Sequence, residues 1–350
     1  MEMDRCEKSN SVLSAGDIAR EEILRSAAEY IEKSVPEKAV EELQQLLAVG
    51  GKKADVLYLL SVAQLALGKD KDAADLARVV IALNPKCFAA YLTVAYFYKK
   101  TEQLQQQLAI LQQLVDYAEA LCGRPPANEI VSRAWRELAG GHVRLGNIAQ
   151  CKQAYLKAGL TAVSYEQRWY DYSSYLMCTN YDAAFDNTRM LVEHQKYNAF
   201  FHSLEPLAKR KRTPREKLRI GYISPDFCQH VVIYFAYPLL HNYDRESFEV
   251  YCYRKGPEDD GTRQLMSSGT IWRDISKLAP RKAAELIQRD EIDILVELAG
   301  HTANNCLPVL AYKPAPVQIC GIGYFNTTGL KAVDYFLTDS YVDPPGEADR

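Results

Sequence analysis

Two hydrophobic patterns divide the chain. Over residues 20–160, apolar and small residues recur at helical spacing, whereas after Pro214 short runs rich in Val, Ile, Leu and Tyr alternate with helical segments. A helical period predicts amphipathic helices, and short apolar runs bounded by turn residues predict buried strands. The pattern therefore predicts an α + α/β protein, an all-α region followed by a parallel α/β region.

The helical region repeats itself with a step of 34 residues. Four columns keep this step: Ala39, Ala73 and Gln107; Ala27, Ser61 and Ala95; Tyr30, Gln64 and Tyr98; Leu43, Ala77 and Leu111. In the unit at 54–85, Gly68 follows the first helix and Pro85 follows the second. Helix–turn–helix units of this length, with small residues at the contacts, are typical of a tetratricopeptide-repeat solenoid.

A fourth unit contains Trp135, Gly146 and Tyr155 in the same order, displaced by an insertion that we assign to the loop Cys122–Asn128. We expect about four repeats over 20–160, preceded by a disordered tail at 1–19. A solenoid presents a concave groove, which predicts binding of peptides or proteins. An irregular helical bundle is the alternative.

Residues 161–213 show neither pattern. Their aromatic residues are Trp169, Tyr170, Tyr172, Tyr175 and Tyr181. Such rings can stack on nucleic-acid bases, but no interleaved basic residues accompany them, which favours a helical connector with buried aromatic side chains. The basic run 208–215 could be a nuclear signal or a phosphate-binding patch, and we interpret it as a solvated hinge between domains.

The region 214–350 predicts a Rossmann-like lobe. Six apolar runs predict strands at 218–224, 248–253, 271–275, 292–298, 316–322 and 333–338. Segments of helical pattern lie at 231–241, 262–268, 280–289 and 304–312. Strands that alternate with helices indicate a parallel sheet covered on both faces.

Composition and motifs exclude several classes of protein. The net charge of −3 gives no general attraction to nucleic acids or anionic membranes, and the nine cysteines form no CxxC pair, which indicates neither a zinc site nor a disulfide framework. The polar start and the absence of a long apolar run predict a soluble cytoplasmic protein. No GxGxxG follows the first strand, no P-loop motif occurs, and no metal site is predicted.

Polar residues cluster where predicted strands end. The first strand leads into Asp226 and His230. The fourth leads into GHTANN, with His301, Thr302, Asn304 and Asn305, and the fifth into GYFNTTG, with Gly323, Tyr324, Thr327 and Thr328. In a parallel sheet these loops would line one crevice. We predict that His230 and His301 are catalytic. The predicted substrate-binding residues are Asp226, Thr302, Asn304, Gly323, Tyr324, Thr327 and Thr328. Imidazole groups suit proton transfer near neutral pH, and Gly, Thr and Asn suit contacts with sugar hydroxyls and phosphate oxygens, although either histidine could fill an ordinary loop role.

Residues 218–350 resemble the N-terminal catalytic lobe of the O-GlcNAc transferase/SPINDLY family, glycosyltransferase family 41. The segments that carry the resemblance are LRIGYISPDFCQH, FEVYCY, WRDIS, DILVELAGHTANN, KPAPVQI, GYFNTTG and DYFLTDSYVDPP. Tetratricopeptide repeats before this lobe are also the domain order of the family. Phe325 and Lys313 depart from the proline and arginine usual in the family.

The resemblance implies one half of a GT-B fold and an inverting, metal-independent transfer of sugar from a nucleotide donor, UDP-GlcNAc or GDP-fucose, to Ser or Thr of proteins. The repeats would bind the acceptor, and no separate cofactor is implied. His230 matches the essential histidine of the family, and His301 and Thr302 match a loop that lines the same cleft.

The second Rossmann lobe of such an enzyme, which in the family carries most nucleotide-sugar contacts, has no counterpart before Arg350. We therefore expect this chain alone to be incomplete for catalysis. The alternative is a non-catalytic repeat scaffold or an inactive, truncated family member.

Overall fold

The computed structural model describes residues 15–50, 53–122, 127–208, 215–344 and 346. These residues form two compact units. The first contains the described residues up to Gly146 together with Leu160–Val163, and the second contains Asn147–Gly159 and the described residues from Ser164 onward.

The first unit is built from consecutive antiparallel helix pairs, as the repeat predicts. Its helices are α1 (Ala15–Glu32), α2 (Pro36–Gly50), α3 (Ala54–Ala66), α4 (Asp70–Leu83), α5 (Phe88–Lys100), α6 (Leu104–Cys122) and α7 (Glu129–Arg144). Each packs against the next. The small and aliphatic repeat columns are buried at Ala27, Ala39, Leu43, Ser61, Ala73, Ala77, Ala95 and Leu111. The predicted repeat register is confirmed.

Glycines end two helices at equivalent places. Gly68 follows α3 with φ +73°, and Gly146 follows α7 with φ +72°. In this left-handed conformation, which glycine adopts without strain, Lys69 N–H donates to Gln64 O at 2.9 Å and closes the last turn of α3.

Two predicted limits of this region change. Helix α1 already begins at Ala15, so the disordered tail predicted for 1–19 is wrong at 15–19, and residues 1–14 lie outside the described part. Most of the insertion assigned to Cys122–Asn128 also lies outside it, but Asn128 caps α7 by accepting the Ile130 N–H at 2.8 Å.

The predicted connector belongs to the second unit. Before the sheet this unit has α8 (Ile148–Thr161, grouped with it up to Gly159), α9 (Tyr165–Thr179), α10 (Asn187–Gln195) and a 3₁₀ helix at Lys196–Phe201. Trp169, Tyr175, Tyr197 and Phe201 share one buried cluster with residues of the sheet and its helices.

The boundaries predicted at 160 and 213 are therefore wrong, because the aromatic side chains of the connector are part of the core of the α/β unit rather than a separate segment. Residues 209–214 of the basic run lie outside the described part.

A parallel sheet forms the rest of the second unit. Its strands are β1 (Leu218–Ser224), β2 (Phe248–Arg254), β3 (Ile271–Asp274), β4 (Ile294–Glu297), β5 (Val317–Gly321) and β6 (Tyr335–Leu337). Between them lie α11 (Val232–His241), α12 (Asp260–Met266), α13 (Pro280–Arg289) and α14 (Leu307–Leu310). The sheet order is β3-β2-β1-β4-β5-β6, and every pair is parallel. The predicted strands are confirmed.

The sheet is apolar on both faces because helices cover both. On one face Ile223, Tyr253 and Leu295 pack in the cluster that includes the connector. On the other face Cys252 and Val296 pack with residues of α11. Neighbouring strand residues alternate between the two clusters, as a doubly covered parallel sheet requires.

The helix predicted at 304–312 is shorter than expected. It spans only Leu307–Leu310, because Asn305 Oδ1 accepts the Leu307 N–H at 3.2 Å and Lys313 has φ +52°. The described helices include none that is long and apolar enough to cross a membrane.

Enlarging a repeat contact tests the solenoid register. Ala73 is fully buried in α4, and its carbonyl accepts the Ser61 hydroxyl at 2.8 Å. We expect Ala73→Phe to lower the free energy of unfolding by about 1–3 kcal/mol through overpacking. Urea unfolding measures it, with Val79→Phe on the exposed side of the same helix as the matched control. Equal stability of the two variants would show that position 73 is not a packed contact.

Candidate functional site

Three strand-end loops meet where the strand order reverses, between β1 and β4. Leu298 N–H donates to Ile223 O at 3.2 Å. A Cβ added to Gly323, in the loop after β5, would lie 2.1 Å from Leu298 O and 3.4 Å from Val232 Cγ2 at the start of α11. The loops after β1, β4 and β5 therefore lie next to one another, and the close approach explains the glycine at 323.

Asp226 and His230 form a polar pair on the open side of this junction. His230 Nδ1 lies 4.0 Å from Asp226 Oδ1, and the side chains are 45% and 18% exposed, respectively. Asp226 is held by its own backbone N–H, which donates to Ser224 Oγ at 2.9 Å. Burial raises the pKa of the Asp226 carboxyl, and the nearby His230 opposes the shift.

The hydrogen bonds of His230 restrict where its proton lies. Val232 N–H donates to His230 Nδ1 at 3.3 Å, so a neutral imidazole in this arrangement carries its proton on Nε2. In that tautomer Nε2 is a donor that can orient a substrate oxygen. To accept a proton at Nε2, the ring must carry its proton on Nδ1, the nitrogen that faces Asp226.

His301 does not face an open crevice. It is 1% exposed, and its Nε2–H donates to Thr328 O at 2.9 Å. Its Nδ1 accepts the Ser173 hydroxyl at 2.7 Å, and Ser173 Oγ in turn accepts Asn305 Nδ2–H at 2.9 Å. Burial and, to a lesser extent, neighbouring His194 together lower the pKa of His301 to about 3. The proton-transfer role predicted for His301 is wrong, because both ring nitrogens are occupied by protein groups in the interior.

Tyr324 is equally internal, contrary to its predicted role in substrate binding. Its hydroxyl donates to His194 Nε2 at 2.8 Å and accepts Asn180 Nδ2–H at 2.9 Å. Gly300, with φ +55°, lies so close to the Tyr324 ring that an added Cβ would come within 2.3 Å of its side chain. The ring therefore closes over the turn after β4.

Thr328 is the second predicted substrate residue that the structure places inside. It is 4% exposed, its carbonyl accepts the hydrogen bond from His301 Nε2–H, and its Oγ1 accepts Leu330 N–H at 3.2 Å. Its predicted contact with substrate is therefore wrong for its side chain, which stabilises its own loop.

Three further predicted residues keep some exposure. Thr302 is half-buried and donates to Ala299 O at 2.9 Å, while Asn304 is exposed with φ +57°. Thr327 is half-buried and accepts Gly329 N–H at 3.1 Å. Together with Asp226 and His230, they are the predicted side chains that a substrate could reach; Gly323 offers backbone only.

The sequence analysis missed Glu297, the last residue of β4. It is fully buried, and its Oε2 accepts Gly300 N–H at 2.7 Å and the Cys320 thiol at 3.3 Å. Burial raises its pKa to about 7, against the lowering effect of these donors. The available signal was a single carboxylate inside the apolar run IDILVEL, directly before the glycine turn.

Lys255, after β2, was missed as well. Its ammonium donates to Tyr170 OH at 2.7 Å and to Asn305 O at 2.8 Å. The turn 300–305 is thus held by Glu297 at one end and by Lys255 at the other. No cluster of three or more His, Cys, Asp or Glu side chains that could bind a metal occurs among the described residues.

The comparison with protein families locates this site. Residues 189–350 match the model of glycosyl transferase family 41. This part of the chain is similar to that family. The family 41 segment contains β1–β6 and every predicted site residue.

Similar proteins support the assignment. The Oryza sativa subsp. japonica protein named probable UDP-N-acetylglucosamine–peptide N-acetylglucosaminyltransferase SPINDLY is 39% identical over 179 residues, which are 49% of this chain and 19% of the rice protein. The Arabidopsis thaliana protein of the same name is 39% identical over 178 residues, 49% of this chain and 20% of its own length. The matches therefore span about a fifth of these relatives.

A solved structure has the same fold. A mutant of the Thermobaculum terrenum O-GlcNAc transferase is 24% identical, with a TM-score of 0.57 over 97% of this chain and 57% of its own. The resemblance drawn from the sequence motifs is confirmed at the level of family and fold.

Buried His301 should make the second unit sensitive to acid. Its folded-state pKa of about 3 is below the value of about 6.5 for an exposed histidine. Between these two values the imidazole binds a proton in the unfolded chain but not in the folded chain. The contribution to stability is complete above about pH 6.5 and is lost as the pH falls toward 3. We expect the stability difference between the parent and His301→Gln to fall by roughly 2 kcal/mol between pH 7 and pH 5.

Urea unfolding at each pH measures this difference. Because glutamine does not titrate and keeps a donor and an acceptor, it removes the charge step while it can fill the same place. The matched control is His202→Gln, at an exposed position of the same unit. If the parent and His301→Gln differ in free energy of unfolding by the same amount at pH 7 and at pH 5, His301 is not a buried neutral imidazole.

Proposed function

We propose that this chain is part of a protein O-glycosyltransferase of the O-GlcNAc transferase/SPINDLY type. The enzyme moves a sugar from a nucleotide donor to Ser or Thr hydroxyls of proteins, and the repeats bind the acceptor. The observation that carries the proposal is the exposed His230 beside Asp226 at the sheet reversal, inside a segment that matches family 41. The relatives, named as glycosyltransferases that act on peptides, point to the same chemistry.

In this proposal the acceptor hydroxyl attacks the anomeric carbon from the face opposite the nucleotide, so the configuration inverts. The C–O bond to the nucleotide breaks as the new glycosidic bond forms, and the hydroxyl proton must leave. His230 Nε2 orients the hydroxyl in one tautomer and takes its proton in the other. Asp226 favours the second tautomer and stabilises the imidazolium that results.

Thr302, Asn304 and Thr327 would contact sugar or acceptor at the edge of the same junction. We propose UDP-GlcNAc as the donor because the relatives' names contain it, with GDP-fucose as the alternative. We further propose a GT-B arrangement, metal-independent transfer and a cytoplasmic location. Label transferred from one donor and not the other tests the choice of sugar, and activity that survives chelation tests metal independence.

The competing proposal is a non-catalytic scaffold in which the repeats bind proteins and the family 41 segment is inert. The solenoid register supports this function as well as it supports acceptor binding. Kinetics at His230 separate the two.

We expect His230→Ala to lower kcat of the intact protein by about 10²–10⁴-fold, because a positioned acid–base group contributes about this much. The side chain is 45% exposed, so melting temperature should stay near that of the parent. Steady-state transfer of labelled sugar to an acceptor protein measures it, and His202→Ala, another exposed histidine of the second unit, is the matched control. Parental kcat in His230→Ala would remove this residue from the chemistry.

Asp226→Asn tests the tautomer argument. The amide keeps the shape of the carboxylate but cannot stabilise a positive imidazolium, so kcat should fall by about 10–10³-fold with little change in KM. The pH dependence of kcat should also change, since the Asp226 carboxyl, whose pKa is raised by burial, no longer titrates. An effect on KM alone would instead make Asp226 a substrate contact, as first predicted.

A further inference from the structure

Two buried cysteines of the second unit face each other. Cys151 lies in the first turn of α8 and Cys178 in the last turn of α9, and their sulfur atoms are 3.0 Å apart. Both are free thiols, with 0% and 4% exposure. A disulfide bond is about 2.05 Å long, so a displacement of about 1 Å would join them.

The surroundings distinguish the two sulfurs. The hydrogen bond between the two thiols lowers the pKa of Cys178 against the opposing effect of burial. Lys152 adds to this lowering; its ammonium is paired with Asp182 and lies 4.3 Å from the centre of the Phe185 ring. The same hydrogen bond raises the pKa of Cys151. This difference favours Cys178 as the nucleophile, since the thiolate is the reactive form of cysteine, with Cys151 as its partner.

We propose that Cys151 and Cys178 form a dithiol site that hydrogen peroxide converts into a disulfide. The Cys178 thiolate attacks one peroxide oxygen, the O–O bond breaks, and the departing hydroxide takes up the proton that Cys178 released, which leaves a sulfenic acid and water. Cys151 sulfur then attacks Cys178 sulfur, and the S–O bond breaks as the S–S bond forms. The released hydroxide takes the Cys151 proton, so two thiols and one peroxide give one disulfide and two waters.

The bond would fix a part of the structure that supports the candidate site. Cys178 is two residues before Asn180, whose side chain donates to Tyr324 OH and accepts Asn326 Nδ2–H at 2.8 Å. The disulfide would also close a loop between residues 27 positions apart, which restricts the unfolded chain. A closed loop of this length should raise the Tm of the unit by roughly 5–10 °C. The proposal does not depend on the transferase assignment.

The experiment exposes the full chain to hydrogen peroxide, blocks remaining thiols with one alkylating reagent, reduces, and labels the released thiols with a second reagent. We expect peptide mass spectrometry to find the second label on Cys151 and Cys178, and to find their unreduced cross-linked peptides lighter by two hydrogens. The oxidised protein should show the higher Tm, and dithiothreitol should reverse the change.

Cys151→Ser and Cys178→Ser should each abolish the Tm shift, whereas Cys228→Ser, which removes a half-buried thiol of the same unit, should keep it. If a serine variant does not fold, the label positions in the parent decide alone. Three results would overturn the proposal. The first is that both cysteines carry the first alkylating reagent under conditions in which Cys228 is already oxidised. The others are sulfinic acid on Cys178 without the cross-link, and a Tm shift that persists in Cys151→Ser.

Discussion

A buried hydrogen-bond network between the helical connector and the strand-end loops holds the second unit in its observed form. Ser173 of α9 and His194 of α10 supply partners for His301 and Tyr324 from the loops after β4 and β5. Each of these four side chains is buried, and a buried polar group that loses its partner costs about 1–3 kcal/mol. The connector is therefore a structural part of the α/β unit, and the loops adopt one conformation because it satisfies their polar groups.

This network changes which side chains are available for chemistry. Groups that hold one another in the interior cannot also contact a substrate, so the polar side chains of the junction that a substrate could reach reduce to Asp226 and His230, with exposed polar neighbours. The network still matters for function, because a loop fixed by buried bonds presents its exposed residues at constant positions. Glu297 contributes to this by holding the Gly300 amide from inside the sheet.

The sequence was informative where local pattern decides structure. Strands such as Leu218–Ser224 and the repeat contact at Ala73 follow from burial periodicity, which is encoded by near neighbours. The role of His301 was predicted wrongly because its partner Ser173 is 128 residues away in the sequence. The residues next to His301 do not indicate that contact. A polar residue at a strand end is equally compatible with solvent and with a covering helix. The aromatic content of the connector indicated burial, but not what it would cover.

Two buried ionisable groups in this network respond to pH in opposite directions. His301, whose pKa is lowered to about 3, makes the folded state less stable as the pH falls below about 6.5. Glu297, whose pKa is raised to about 7, makes it more stable as the pH falls from 7 toward the ordinary carboxyl range near 4.5, because the folded state then takes up a proton that the unfolded chain does not bind. Between about pH 4.5 and 6.5, unfolding releases about one proton from Glu297 and takes up about one at His301. The two effects on the free energy of unfolding nearly cancel, so these two groups together make the stability of the parent almost independent of pH in this range. Each group alone would make it strongly dependent on pH. Below this range Glu297 is protonated in both states and the penalty at His301 remains, so acid should open the unit first at the contact between the connector and the loop after β4.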